Sequence, residues 1–137
     1  MAAAGRRTAA VYLWGYAVEM TIKAAYFQVV GFLATQSIAI QHLSAAKANA
    51  PSLAIVRKGG NLHSVESWAE LLVGMRGIQP GWAYADPAFA GRVLGNARAI
   101  GCLWTETLRY RKNLAYHFEV DQAHEAAGWF LTNMYQM

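Results

Sequence analysis

Val11, Trp14, Val18, Ile22, Ala25, Val29 and Phe32 follow one another at spacings of three and four residues, which puts them on one face of a single α-helix over residues 7–33. The other side carries Tyr12, Tyr16, Glu19, Lys23, Tyr26 and Val30, so most of the circumference is apolar or aromatic and only a narrow strip is charged. Such a helix belongs in the middle of a bundle or at a subunit interface. Glu19 precedes Lys23 by four residues, the favourable order for a helical ion pair. The stretch is long enough to span a bilayer, but each of those two charges would cost about 2.5–3.5 kcal/mol near the middle of a span, so no membrane segment is expected. Arg6 and Arg7 ahead of an apolar run imitate a secretory leader, yet no convincing cleavage site follows and the segment reads as part of the fold.

The remaining segments are also helical in period. A short alanine-rich helix is expected over 37–48, ending ahead of Pro51, and residues 51–61 read as a connection closing on Arg57, Lys58, Gly59, Gly60 and Asn61. Ser64, Glu66 and Ser67 open a third helix to about Met75, with Val65, Trp68, Leu71 and Leu72 inward. After a loop over 77–86, Asp86 can cap free N–H groups while Pro87 at the first helical position loses nothing by lacking its own. Phe89, Val93, Ala97, Ile100, Trp104 and Leu108 then form one stripe that carries the fourth helix to about Arg111. Asp121 opens a last helix with Ala127, Phe130, Leu131 and Met134 inward. No segment alternates with a period of two, and there is no internal repeat or linker. With 137 residues, 55% of them hydrophobic and 15% charged, the expectation is one all-α domain over 1–137, an antiparallel bundle of four or five helices.

A formal charge of +4 permits an anionic partner without demanding one. The single Cys102 excludes a disulfide framework and a four-cysteine zinc site, fits a reducing cytoplasm, and reads as a buried thiol in mid-helix. Nucleophile-elbow, Walker, dinucleotide-binding and H-E-x-x-H patterns are absent. His117 and His124 stand seven residues apart near Glu119, Asp121 and Glu125, but no second cluster completes a ligand set and the chain is expected to turn between them, so neither a metal nor another cofactor is expected. The stretch RKGGN at 57–61 could cradle a phosphate, although a solvated connection is the simpler reading because no helix follows at once. His63 is expected to cap or orient that loop, and His42 has no identifiable partner.

RYRKNLAYH at 109–117 is the most informative segment. Cations at the end of the fourth helix suit the macrodipole, with Asn113 as a cap. That does not explain phase: Arg111 lies seven residues beyond Trp104 and three beyond Leu108, which continues the inward stripe and asks for an anionic partner. Arginine, asparagine and histidine gathered where a helix turns suit phosphoryl chemistry without a metal. Imidazole moves a proton near neutral pH, and guanidinium offers a planar donor fork to phosphate oxygens.

At these residues the chain resembles the HEPN domain family of helical nucleotide-binding domains. GYAVEMTIKAAYF at 15–27 looks like the family's opening helix, NLHSVESWAELL at 61–72 is similar to its histidine-led entry into a short helix, and RKNLAYH at 111–117 resembles its R-x(4–6)-H motif. The resemblance implies a helical bundle, usually a homodimer in which two motifs meet at a shared cleft, and in active members a metal-independent endoribonuclease that needs no cofactor. Carried over, His117 is the acid/base residue for attack of the 2′-hydroxyl on the adjacent phosphorus, Arg111 binds that phosphate, and Tyr110 or Tyr116 stacks on a base, with Arg109 and Lys112 beside the RNA. Lys112 stands where the family often has a small polar residue, and Asn113, one place later, is the candidate to replace it. The implied products are a 2′,3′-cyclic phosphate and a 5′-hydroxyl, and the implied setting is the toxin half of a toxin–antitoxin pair. The alternative is a noncatalytic module that binds a nucleotide and partners a small nucleotidyltransferase as its antitoxin.

Overall fold

A computed structural model describes residues 2–48, 63–104 and 115–137. They form α1 (Ala2–Val29), α2 (Ile40–Ala48), α3 (Val65–Ile78), α4 (Pro87–Leu103) and α5 (His117–Asn133), followed by a single 3-10 turn at Met134–Gln136. There is no strand among the described residues, so the all-α bundle is as the periodicity expects. None of these helices is long and apolar enough to cross a membrane.

Local chemistry sets the helix ends. Gly31, with φ 98°, stops α1 in a conformation that disfavours a Cβ, and the Phe32 N–H reaches back to the Phe27 carbonyl at 2.8 Å. Ser64 Oγ accepts the Ser67 N–H at 3.2 Å to start α3. Asp86 Oδ1 accepts the Ala88 N–H at 2.9 Å to start α4, with Pro87 at its first position. These are the starts expected for α3 and α4.

Four long helices ring one core: α1 packs on α3 and α5, α4 closes the ring between them, and α1 and α4 lie across the diagonal. Val11, Val18, Ile22 and Val29 of α1 meet Trp68, Leu71 and Leu72 of α3, Val93, Ala97 and Ile100 of α4, and Ala127 and Phe130 of α5, all buried in one cluster. Helix directions follow from pairs of residues. Arg7 meets His117 and Trp14 meets His124, so α1 and α5 run the same way. Phe89 at the start of α4 packs on Trp129 late in α5, and Arg98 late in α4 bonds Glu66 at the start of α3, so α4 runs against both. The expected antiparallel packing therefore holds for α4 against its neighbours but not for α1 with α5. Among the described residues between α1 and α3 the one helix is α2, whose nine residues are too few to run the length of the bundle.

Several expectations change. The charged strip of α1 faces inward: Glu19 and Lys23 are buried, while Leu13, Tyr16 and Met20 are exposed. The four-residue spacing that makes them an ion pair is unaltered, and the pair is sealed in the core instead of on the surface. Leu131 and Met134 are exposed rather than inward, since Ala123, Ala126, Ala127 and Phe130 form the buried stripe of α5. Cys102 is exposed. His42 has partners after all: its Nδ1 accepts the Ala39 N–H at 2.9 Å and its ring meets Phe32 edge-on at 5.0 Å.

Candidate functional site

Two consecutive residues near the head of α1 hold the chain just before α5. Arg7 Nε donates to the Ala115 carbonyl at 3.1 Å, and Thr8 Oγ1 accepts the Ala115 N–H at 3.0 Å. Ala115 is buried, so both of its main-chain groups need protein partners, and one turn of α1 supplies them. The fork of Arg7 then extends to His117, with Nη1 3.1 Å from Nε2. A guanidinium only donates, so this contact requires a neutral imidazole whose proton sits on Nδ1.

α5 begins at His117, four residues ahead of the expected start at Asp121. Tyrosine is not a usual cap, which hid the start in the sequence, but Glu119 reaches back to accept the Tyr116 N–H at 2.7 Å and supplies one half of a capping box. His117 therefore stands exposed at the positive end of a helix. It is flanked by Tyr116 and Phe118, whose rings stack 5.7 Å apart with 7° between planes. Both rings are largely open to solvent, at 66% and 62%. A parallel pair of exposed rings beside a histidine and an arginine is a surface on which a base can stack while its phosphate meets a cation.

The chain does not turn between His117 and His124. They lie two helical turns apart on α5, and His124 packs on Trp14 at 4.9 Å. No group of three His, Cys, Asp or Glu side chains that could hold a metal ion occurs among the described residues.

Of the residues expected to act, His117 and Tyr116 are the two described; Arg109, Tyr110, Arg111, Lys112 and Asn113 lie outside the described residues, as does the RKGGN stretch at 57–61. The helix that was to carry Arg111 stops earlier. Leu103 is its last residue, and Trp104 has left the helical region at φ −114°, ψ 132°. The inward phase assigned to Arg111 assumed an unbroken helix through Trp104, so that argument no longer holds. What the fold does fix are the flanking residues: Trp104 packs on α1 at Gly15, where a Cβ would collide with the indole, and Ala115 is held by Thr8.

A second polar group lies inside the bundle. Glu19, wholly buried, accepts from Lys23 Nζ and meets His63 Nδ1 at 3.0 Å through the same oxygen, Oε1. Lys23 Nζ also lies 5.2 Å from the centre of the Trp68 ring. The other carboxylate oxygen of Glu19, Oε2, and the indole nitrogen of Trp104 are buried with no hydrogen-bond partner among the described residues. His63 thus closes one end of this pair as well as standing at the entry to α3, where the sequence expects it to orient the loop.

Arg7, Thr8 and Phe118 are the site residues that sequence reasoning missed. From sequence Arg7 reads as the start of the first helix, and nothing local to residue 7 announces a partner 110 positions away. No family model, curated protein or solved structure matches the chain.

Proposed function

We propose that the chain is a metal-independent endoribonuclease of the HEPN type, working in the cytoplasm as the toxin of a toxin–antitoxin pair, with His117 as its proton-transfer residue. The observation that carries this reading is the exposed His117 with the Arg7 guanidinium on its Nε2, beside two stacked rings at a helix N-terminus. In the proposed reaction the imidazole accepts the proton of an RNA 2′-hydroxyl. O2′ forms a bond to the adjacent phosphorus, the bond from phosphorus to O5′ breaks, and O5′ leaves with a proton from solvent. A 2′,3′-cyclic phosphate and a 5′-hydroxyl result. Arg7 shifts from imidazole to phosphate as charge builds on the non-bridging oxygens, which frees Nε2 as the substrate arrives. Tyr116 and Phe118 stack on the bases to either side. By the resemblance, Arg111 adds a second guanidinium, with Asn113 beside it and Arg109, Tyr110 and Lys112 along the RNA.

The same contact also favours a second reading. With Nε2 engaged by Arg7, His117 serves equally as part of a phosphate clamp, as a noncatalytic nucleotide-binding partner of a nucleotidyltransferase requires. Incubation with 5′-labelled single-stranded RNA in EDTA separates the two. Cleavage to cyclic-phosphate ends, blocked by 2′-deoxy substitution at the cut position, is the expected result. RNA left intact by folded protein that still retains nucleotide removes the nuclease and leaves the binding module.

A further inference from the structure

Glu19 of α1 meets His63 just ahead of α3, and Tyr26 meets Trp68 one turn into it, so α3 runs the same way as α1, as α5 does. The carboxyl ends of three helices, each with partial negative charge, therefore point to one end of the bundle. α3 offsets that charge itself. Arg76, in its last turn, donates through Nη1 to the main-chain oxygen of Met137 at 2.5 Å and lies 3.9 Å from the centre of the Tyr84 ring and 5.6 Å from that of Trp82. α1 and α5 have no basic residue in their last turns.

Residues late in α1 and just beyond α5 line an open groove of about 820 Å³, a size that suits a small molecule. Four rings, those of Phe27, Phe32, Trp82 and Tyr135, stand in its wall with the thioethers of Met20 and Met134. None of the described residues in that wall is charged. Tyr135 is 91% exposed, an aromatic side chain that the fold itself hardly packs.

We propose that this groove binds a small organic cation, a protonated or quaternary amine carried on an apolar body. The faces of aromatic rings attract a cation, and a bulky, weakly hydrated ammonium gives up little water to reach them. The ends of α1 and α5 add partial negative charge that no last-turn cation offsets. Competing ligand classes lack what they need: among the described wall residues a phosphate or carboxylate finds no cation, and a metal ion finds no carboxylate. Rings and thioethers take the apolar body, and the neutral amides of Gln28 and Gln36 serve a polar substituent. Arg76 already places one cation on aromatic faces at this end of the bundle. The groove is distant from His117: Arg7, which meets that histidine, lies thirteen residues before Met20, about 20 Å along α1. The inference does not rest on the nuclease reading.

Isothermal titration calorimetry of the full chain with three amphiphiles of one tail, octyltrimethylammonium, octanol and octyl sulfate, each below its micelle concentration, tests the choice of charge. The chain carries +4, so adventitious adsorption ranks the sulfate first and the ammonium last. The proposal expects the reverse, with one saturable site that takes octyltrimethylammonium about tenfold more tightly than octanol. Gln28→Lys sets a resident cation in the last turn of α1 at an exposed position. With an unchanged circular dichroism spectrum it should weaken the ammonium by about tenfold while octanol binds as before. Trp82→Leu should weaken the ammonium more than it weakens octanol. The proposal is overturned if the ammonium shows no saturable site, if octanol or octyl sulfate binds as tightly, or if Gln28→Lys leaves the ammonium affinity unchanged. RNA cleavage is read in a separate assay, and none of these outcomes bears on it.

Discussion

Arg7 Nη1 stands 3.1 Å from His117 Nε2, bringing together residues 110 positions apart in the chain. Through its Nε the same guanidinium holds the Ala115 carbonyl, so one side chain both fixes the entry to α5 and fixes the tautomer of the histidine that opens it. Arg7→Ala should lower stability by about 1–2 kcal/mol, the worth of a hydrogen bond to a charged donor, measured as a shift of the urea midpoint at constant m. In nitrogen-15 spectra at pH 8 the wild-type His117 should show its proton on Nδ1, and Arg7→Ala should return it to a mixture of tautomers.

Gly15 is set by the indole of Trp104, which occupies the space a Cβ would need. Gly15→Ala should therefore destabilise by about 1–3 kcal/mol, although alanine is the better helix former. Combining it with Trp104→Leu should cost less than the sum of the two single changes. Equal and additive losses in a double-mutant cycle would show that the two positions do not touch.

The Glu19–Lys23 pair sits in the core, so removing one partner should be costly. Lys23→Met leaves the buried carboxylate without its cation and should cost about 3–5 kcal/mol. The double change Glu19→Met with Lys23→Met should recover much of that loss, because a well-packed apolar pair carries no desolvation cost. Thermal melts of the three variants measure the difference.

Alkaline pH should act through Tyr84. Burial pushes its hydroxyl up to about 12, against the opposing pull of the Arg76 guanidinium 3.9 Å from its ring centre. A tyrosine unfolded at the ordinary value near 10 releases its proton first, so the folded state loses stability as pH rises from about 10 to about 12. Below pH 10 this contribution is constant. Tyr84→Phe should flatten the stability curve in that window, and absorbance at 295 nm should show Tyr84 among the last tyrosines to ionise.

The all-helical class and the starts of α3 and α4 were legible because they rest on local chemistry: the caps Ser64 and Asp86, and the apolar stripes through Trp68 and Val93. The inward direction of Glu19 and Lys23 was not. Hydropathy gives charge to the solvent side, and only the packing of α3 with His63 and Trp68 shows that the pair satisfies itself inside. The end of α4 was hidden for a related reason. The stripe Val93, Ala97, Ile100, Trp104 and Leu108 keeps its period past the point where Trp104 turns onto Gly15, so pattern alone could not mark the stop. At the candidate site, His117 and Tyr116 stand in one short sequence segment and could be singled out together, but Arg7 is joined to them only by the parallel packing of α1 on α5.

The most direct test of the account is the single-turnover cleavage rate of single-stranded RNA in EDTA, wild type against His117→Ala, with both proteins folded. The account predicts that loss of the imidazole slows cleavage by about 10²–10⁴-fold, as expected for a positioned proton-transfer group, while RNA binding measured by fluorescence anisotropy stays within a few-fold. Cleavage by His117→Ala at the wild-type rate would contradict it.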